Sequence, residues 1–424
     1  MDIDKLYNIF TTCGGKVATD SRKISGGELF FALKGENFDG NEYALKALEA
    51  GAAYAVVDKN SPVSAAAADE PRLIPVPDAI LALRALARYH RDRFAIPVLG
   101  LTGTNGKTTT KELINAVLSA KFRTHATCGN LNNNIGVPLT ILGMPADTEI
   151  AVIEMGASHP GDIKELVDIA APDFGLITNV GKGHLLGFGS FEGVKATKGE
   201  MYDFIAENGG GAETVFINQD NPLLVEMATS RGFVTMPEGC VFDRAAFLGR
   251  DRRKCASQKL LAVPYGLHFS GARVLESDAA HPYLRLLLAD GREVDTNLVG
   301  SYNADNVLAA LCVGRFFGVP ETEAIAAVAS YVPSNNRSQM QRTRRNILIV
   351  DAYNANPSSM KAALDNFSGF DAAKKIVLLG DMLELGDESV TEHAKVLHSV
   401  ADYGFEDYFV GEEFRKAGAE RCFP

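Results

Sequence analysis

Short apolar runs alternate with amphipathic stretches along most of this chain, and their order sets the expected architecture. Leu29-Phe30-Phe31-Ala32, Tyr54-Ala55-Val56-Val57 and Val98-Leu99-Gly100-Leu101 have the length and composition of buried strands. Between them, helical spacing runs from 43 to 50, where Gly51 stops it, and again from 78 to about 93. The segment 61–77, rich in Ala and Pro, is expected to be a surface connection without regular structure. Further on, strands are predicted at 150–153, 174–178 and 215–218, and helices at 160–170 and 305–317. That alternation predicts an α/β protein with a mainly parallel sheet covered on both faces. Between 231 and 298 the pattern weakens into short, partly β segments. Strands at 347–350 and 375–379, with helices at 360–366 and 392–401, predict a smaller α/β unit. The chain is therefore divided into 1–83, 84–331 and 332–424, with no internal repeat and no long low-complexity tract.

The run at 98–101 leads into Gly103-Thr104-Asn105-Gly106-Lys107-Thr108 and then a helix-compatible stretch from 109 to 119. A strand, a glycine turn and a helix N-terminus aim backbone N–H groups, the positive end of the helix dipole and one lysine at a single point. This arrangement suits the phosphates of a nucleotide. Thr108 follows the lysine and is placed to offer its hydroxyl to a phosphate-bound Mg²⁺. The general phosphate-loop pattern is broken at one place, where Leu101 stands instead of glycine. An ordinary strand-to-helix turn is the plainer alternative, but Gly-Lys-Thr-Thr-Thr after a buried strand favours phosphate binding.

The 424 residues suffice for two or three domains, and 46% hydrophobic with 22% charged residues describes an ordinary globular chain. A net charge of −11 and a pI near 5.3 argue against a nucleic-acid surface, which needs a basic face. The basic run Arg250, Arg252, Arg253 and Lys254 reads as a solvated loop. Cys13, Cys128, Cys240, Cys255, Cys312 and Cys422 lie far apart, without zinc spacing, as expected of reduced thiols. No basic flank with an apolar core opens the chain, and no apolar stretch has the length of a membrane span. A cytoplasmic protein is the expectation.

Glu154 ends the predicted strand 150–153, so it projects from the carboxyl edge of a parallel sheet, where such folds bind ligands. There it can hold Mg²⁺ or merely cap the next helix. His184 follows strand 176–180 through Gly181-Lys182-Gly183, a spacing that misses the dinucleotide fingerprint, and by itself it reads as a structural histidine sooner than as a ligand. Arg337, Asp351, Asn303 and Asn306 read singly as a surface charge, a turn residue and two residues at a helix start.

Four segments change that reading: 103–110, Gly-Thr-Asn-Gly-Lys-Thr-Thr-Thr; 129–140, Gly-Asn-Leu-Asn-Asn-Asn-Ile-Gly-Val-Pro-Leu-Thr; 351–360, Asp-Ala-Tyr-Asn-Ala-Asn-Pro-Ser-Ser-Met; and 380–386, Gly-Asp-Met-Leu-Glu-Leu-Gly. Together they resemble the Mur ligase family, most closely the branch that adds D-alanyl-D-alanine to a UDP-N-acetylmuramoyl tripeptide. Thr19-Asp20-Ser21-Arg22 and 29–35 are similar to that branch's uridine-nucleotide domain.

The resemblance implies an ATP-dependent amide ligase of three domains: an N-terminal α/β unit for the UDP end, a central ATP-binding parallel sheet and a Rossmann-like C-terminal unit that closes over the nucleotide. It implies that Gly103, Thr104, Asn105, Gly106, Lys107, Thr108 and Thr109 bind ATP, with Lys107 on the β and γ phosphates. Asn303 and Asn306 would contact adenine, Asp351 the ribose and Arg337 the terminal phosphate. Thr108, Glu154 and His184 would serve two Mg²⁺ ions. Lys198, in Ala-Thr-Lys-Gly-Glu-Met-Tyr, falls where the family carries a lysine carbamylated by CO₂, a further metal ligand. Ser21, Arg22, Asn132, Asn133, Tyr353 and Asn354 would touch the substrate, and a monomer is expected. The family's Lys-Gly-Ser-Arg segment has no counterpart before Pro424, so a shortened C-terminal unit is expected. The alternatives are a third-residue-adding ligase, which Asn-Ala-Asn-Pro-Ser-Ser-Met in place of a His-containing segment disfavours, a folate polyglutamylating ligase and a non-catalytic nucleotide-binding relative.

Overall fold

The computed structural model describes residues 2–424 other than 36, 209–212, 237–240, 250–259, 277–281, 335–336, 338 and 373. The basic run from Arg250 to Lys254, Cys240 and Cys255 lie outside the described residues. Among the others, Cys13, Cys128, Cys312 and Cys422 carry free thiols. No described helix is long and apolar enough to cross a membrane.

A seven-stranded parallel sheet organises the middle of the chain. Val98–Thr102 lies inside it, flanked by Ile150–Glu154 on one side and Phe174–Ile177 on the other. Thr124–Ala126 forms one edge, and Thr214–Asn218, Leu261–Tyr265 and Val234–Thr235 extend the other. Alternation along each strand sorts its residues between two cores. Ala151 and Ile153 join the layer containing Ile163 and Leu166, while Ile150 and Val152 join Leu113, Val117 and Val307 across the sheet. Helix Lys107–Ser119 packs there against Ala304–Phe316, with a small antiparallel sheet, 273–295, beyond them. The chain moves to opposite sides of Val98–Thr102 after that strand, which makes its carboxyl end a topological switch point.

The N-terminal unit is a four-stranded parallel sheet, and the expectation for 61–77 is corrected. Leu73–Val76 is its fourth strand, with Leu73, Ile74 and Val76 buried, and Pro62–Ala68 is a 3₁₀ segment. Pro75 made this run look irregular, yet on an edge strand its missing N–H costs no ladder bond. Helix Ala79–Arg91 continues unbroken past residue 83 and delivers Arg91 into the base of the central sheet. There the fully buried guanidinium donates to the carbonyls of Ala170 (2.9 Å), Phe94 (2.8 Å) and Ala171 (3.1 Å) and pairs with Asp173 at 3.0 Å. Asp173 also accepts the Val98 N–H at 2.9 Å, so one buried pair joins the helix to two central strands.

Beyond residue 332, Ile376–Gly380, Glu406–Val410 and Cys422–Phe423 form a parallel sheet. Ile347–Val350 does not join that sheet; it pairs antiparallel with Gln339–Arg342. Local closure explains the choice, because the turn at 343–346 brings those partners together at little entropic cost. Helix Phe191–Asn208, which carries Lys198, had no counterpart in the elements expected from sequence.

Arg91→Met should cost about 3–5 kcal/mol in urea unfolding, since Asp173 would be left buried and uncompensated, and adding Asp173→Asn should recover part of that loss. A loss below about 1 kcal/mol would show that the pair does not tie the units together.

Candidate active site

A cleft of about 740 Å³ opens at the carboxyl edge of the central sheet, and the C-terminal unit forms its opposite wall. It gathers Thr104, Asn105, Gly106, Lys107 and Thr109 of the glycine turn with Asn132, Asn133, Glu154, His184, Asn303 and Asn306 from the central unit. Arg337, Asp351, Tyr353 and Asn354 face them. Gly103, Thr108 and Lys198 are not among the lining residues, and Thr108 and Lys198 are buried. Ser21 and Arg22 do not reach this cleft. They form a 3₁₀ turn in the N-terminal unit, where Arg22 is exposed and forks onto Asp20 with two bonds of 2.9 Å.

The turn's shape depends on two glycines. Gly103 has φ 146°, and a Cβ there would stand 2.0 Å from Thr178 Oγ1. Gly106, the helix N-cap, has φ 77° and would place a Cβ 2.7 Å from Asn306 Oδ1. The strand-end segment next door pins the turn from one side. Thr104 N–H donates to the Asn179 carbonyl (3.0 Å), Asn105 N–H to Asn179 Oδ1 (2.9 Å), and Thr178 Oγ1 to the Asn105 carbonyl (2.6 Å). From the other side, Thr110 donates to Asn306 Oδ1 at 2.9 Å and Asn306 donates to Asn303 Oδ1 at 2.9 Å. Asn303 makes no side-chain cap; its amide donates to the Val299 carbonyl at 2.8 Å. The two asparagines are thus an extension of the turn, not simple helix caps.

Lys107 donates to the carbonyls of Gly103 and Thr104, both at 2.9 Å. Burial pushes its pKa down, Arg337 pushes in the same direction, and Glu154 opposes them. Glu154 is fully buried. Its Oε1 accepts from Asn132 (2.7 Å) and Thr108 (3.2 Å), while Oε2 has no hydrogen-bond partner among the described residues. An orphaned anionic oxygen in a dry site is costly unless a cation or donor arrives. Among the described residues no three His, Cys, Asp or Glu side chains form a ready cation cage. Thr108 and Glu154 nevertheless fit Mg²⁺, which takes one or two protein oxygens and completes its shell with phosphates and water.

Lys198 is 2% exposed, with Nζ 5.5 Å from the centroid of Phe188. Burial first, then the charge of Lys107, pushes its pKa down to about 7, against the pull of Asp162 and Glu200. His184 caps the short helix Leu185–Phe188 with a left-handed backbone, φ 52°, and its Nδ1 meets the Glu384 carboxylate of the C-terminal unit.

Arg337 stacks its guanidinium 3.7 Å from the Tyr353 ring centroid, and its buried Nε has no hydrogen-bond partner among the described residues. Tyr302 donates to Asp351 at 3.4 Å. Several cleft residues escaped the sequence reading: Asn179, Asn356, Glu384 and the segment 156–162, where Asp162 accepts the N–H groups of Ser158 and His159, each at 2.8 Å. Only the position of that segment directly after Glu154 could have signalled it.

Comparison with known proteins finds relatives along most of the chain. The Mur ligase middle domain matches residues 101–248, the Mur ligase family catalytic domain 16–91, and the Mur ligase glutamate ligase domain 336–421. A UDP-N-acetylmuramoyl-tripeptide--D-alanyl-D-alanine ligase of Bacillus subtilis is 37% identical over 381 residues, covering 89% of this chain and 75% of its own length. The Escherichia coli protein of the same name is 33% identical over 90% of this chain and 77% of its own. Among solved structures, MurF from Acinetobacter baumannii aligns with a TM-score of 0.77 and 28% identity, covering 96% of this chain and 83% of that one. MurF ligase from Thermotoga maritima, in complex with ADP, aligns with a TM-score of 0.75 and 26% identity over 96% and 87%.

Proposed function

The chain belongs to the Mur ligase family, and from that premise we propose that it joins D-alanyl-D-alanine to UDP-N-acetylmuramoyl-tripeptide at the expense of ATP. It does so as a cytoplasmic monomer making peptidoglycan precursor. The names of its relatives supply the substrate pair. The observation that carries the chemistry is Glu154, whose buried Oε2, without a hydrogen-bond partner among the described residues, stands beside the phosphate loop while Arg337 and Asp351 face that loop across one cleft.

A carboxylate resists attack by an amine until one oxygen becomes part of a good leaving group. In this reading the tripeptide's terminal carboxylate attacks the γ-phosphorus of ATP, ADP departs, and an acyl phosphate results. The free amine of D-alanyl-D-alanine then adds to the acyl carbon, losing a proton as inorganic phosphate leaves. Lys107 exchanges its two carbonyl partners for the β and γ phosphates. Arg337, held flat against Tyr353, takes the terminal phosphate, with Asp351 on the ribose and Asn303 and Asn306 on adenine. Thr108, Glu154, His184 and, once carbamylated, Lys198 would hold Mg²⁺. Bound there, the metal would neutralise charge on the transferred phosphoryl group and help align attacking and leaving oxygens. Ser21 and Arg22 hold the uridine end, while Asn132, Asn133, Tyr353 and Asn354 position the peptide.

Lys198 can attack CO₂ only as a neutral amine, releasing one proton as the carbamate forms. A pKa near 7 makes the neutral form plentiful where an ordinary lysine, at about 10.4, would almost never be neutral. Burial that disfavours the ammonium thus prepares the residue for conversion into an anion suited to Mg²⁺.

Phosphate release from ATP should require the UDP-tripeptide and D-alanyl-D-alanine together, and Glu154→Gln should lower kcat by about 100-fold or more with the fold retained. Release indifferent to the dipeptide, or unchanged in Glu154→Gln, would reject the assignment. Protein equilibrated with ¹³C-bicarbonate should give one carbamate carbon resonance that Lys198→Ala removes, and a spectrum without it would dismiss the modification.

A further inference from the structure

Loop 380–386 belongs to the C-terminal unit, and its shape is set there. His393 Nε2 accepts the Met382 N–H at 3.0 Å, and Asp381 accepts the N–H groups of Glu413 and Phe414, each at 3.0 Å. From this braced loop Glu384 reaches the central unit. Its carboxylate meets His184 Nδ1, and its backbone carbonyl accepts the Leu186 N–H at 3.0 Å. Both partners hold left-handed backbone, φ 63° at Glu384 and 52° at His184. Side chains other than glycine adopt that region rarely, and such conformations persist where the surroundings over-determine them. Leu185 and Phe188 pack into one apolar cluster with Met382 and Leu385, and Lys182 pairs with Glu388 (2.7 Å) and Glu392 (3.0 Å) across the same seam.

An imidazole whose Nδ1 proton is held by a carboxylate presents the lone pair of Nε2 in a set direction, the arrangement that orients metal-binding histidines in general. Here the carboxylate comes from the other unit. We propose that Glu384 is a positioning residue: it fixes the tautomer and orientation of His184, so that the metal site is complete only when the C-terminal unit is docked. This inference rests on the assignment of His184 as a Mg²⁺ ligand. It makes closure of the cleft and metal binding a single event, with Glu384 as the link.

The test titrates Mn²⁺ into the full chain saturated with a non-hydrolysable ATP analogue and counts bound metal by electron paramagnetic resonance. His184→Ala and Glu384→Ala should each weaken binding, Glu384→Ala by about 10–100-fold, the range typical of lost partners behind metal ligands. In a His184→Ala background, Glu384→Ala should have no further effect. Glu384→Gln keeps an acceptor oxygen and should retain most of the affinity. Lys182→Ala, which removes the neighbouring pairs to Glu388 and to the buried Glu392 but leaves Glu384 on His184, should change it by less than about fivefold. If His184→Ala leaves Mn²⁺ affinity unchanged, the assignment of that histidine fails and this inference with it. If His184→Ala weakens binding while Glu384→Ala does not, or if Lys182→Ala costs as much as Glu384→Ala, the positioning role alone is overturned.

Discussion

Bringing a carboxylate up to the triphosphate of ATP forces several negative charges within a few ångströms of one another, and that repulsion is the constraint around which this molecule is built. A chain with a net charge of −11 has no general surplus of cations to offer. It concentrates them instead: Lys107 and Arg337 on the cleft, Lys198 buried close by, and the N-terminus of helix Lys107–Ser119 pointing the same way. Burial disfavours the charged form of both lysines, Arg337 adds to the effect on Lys107 and Lys107 to that on Lys198, so the site is electrostatically poised for anions. Glu154, with one oxygen bound and the other without a hydrogen-bond partner among the described residues, supplies the complementary need for a cation.

The parallel sheet makes this concentration possible. The central strand delivers the glycine turn, one neighbour delivers Glu154 and the other leads to His184, so three independent segments converge at one carboxyl edge without distorting the ladder. The second wall comes from the C-terminal unit. Asn356, which caps helix Pro357–Ser368, exchanges amide hydrogen bonds of 2.7 and 3.3 Å with Asn105 of the glycine turn. The glycine turn and the docking of the C-terminal unit therefore share residues, which suits a reaction whose acyl phosphate must be shielded from water.

What could be read from the sequence follows how local each signal is. The glycine turn was legible because strand, turn, lysine and helix are contiguous, and Glu154 because a strand end in a parallel sheet has a defined place. Leu73–Val76 was missed because Pro75 masks a strand where only an edge position tolerates it. Helix Phe191–Asn208 was missed as well, although it holds the buried Lys198. Arg337 and Asp351 were ordinary residues by composition, and only resemblance singled them out. The pairing of His184 with Glu384, 200 residues apart, and of Asn105 with Asn356, 251 apart, leaves no trace in periodicity at all. Tertiary closure creates those contacts, so the wall of the cleft was the part of the site that sequence could not supply.

Everything proposed for the cleft turns on the carboxylate oxygen attacking phosphorus. UDP-tripeptide labelled with ¹⁸O in its terminal carboxylate, turned over with ATP and D-alanyl-D-alanine, tests that step directly by mass spectrometry of the released phosphate. An acyl phosphate pathway carries one labelled oxygen into inorganic phosphate at every turnover. Phosphate free of label, with the peptide product formed, would contradict it.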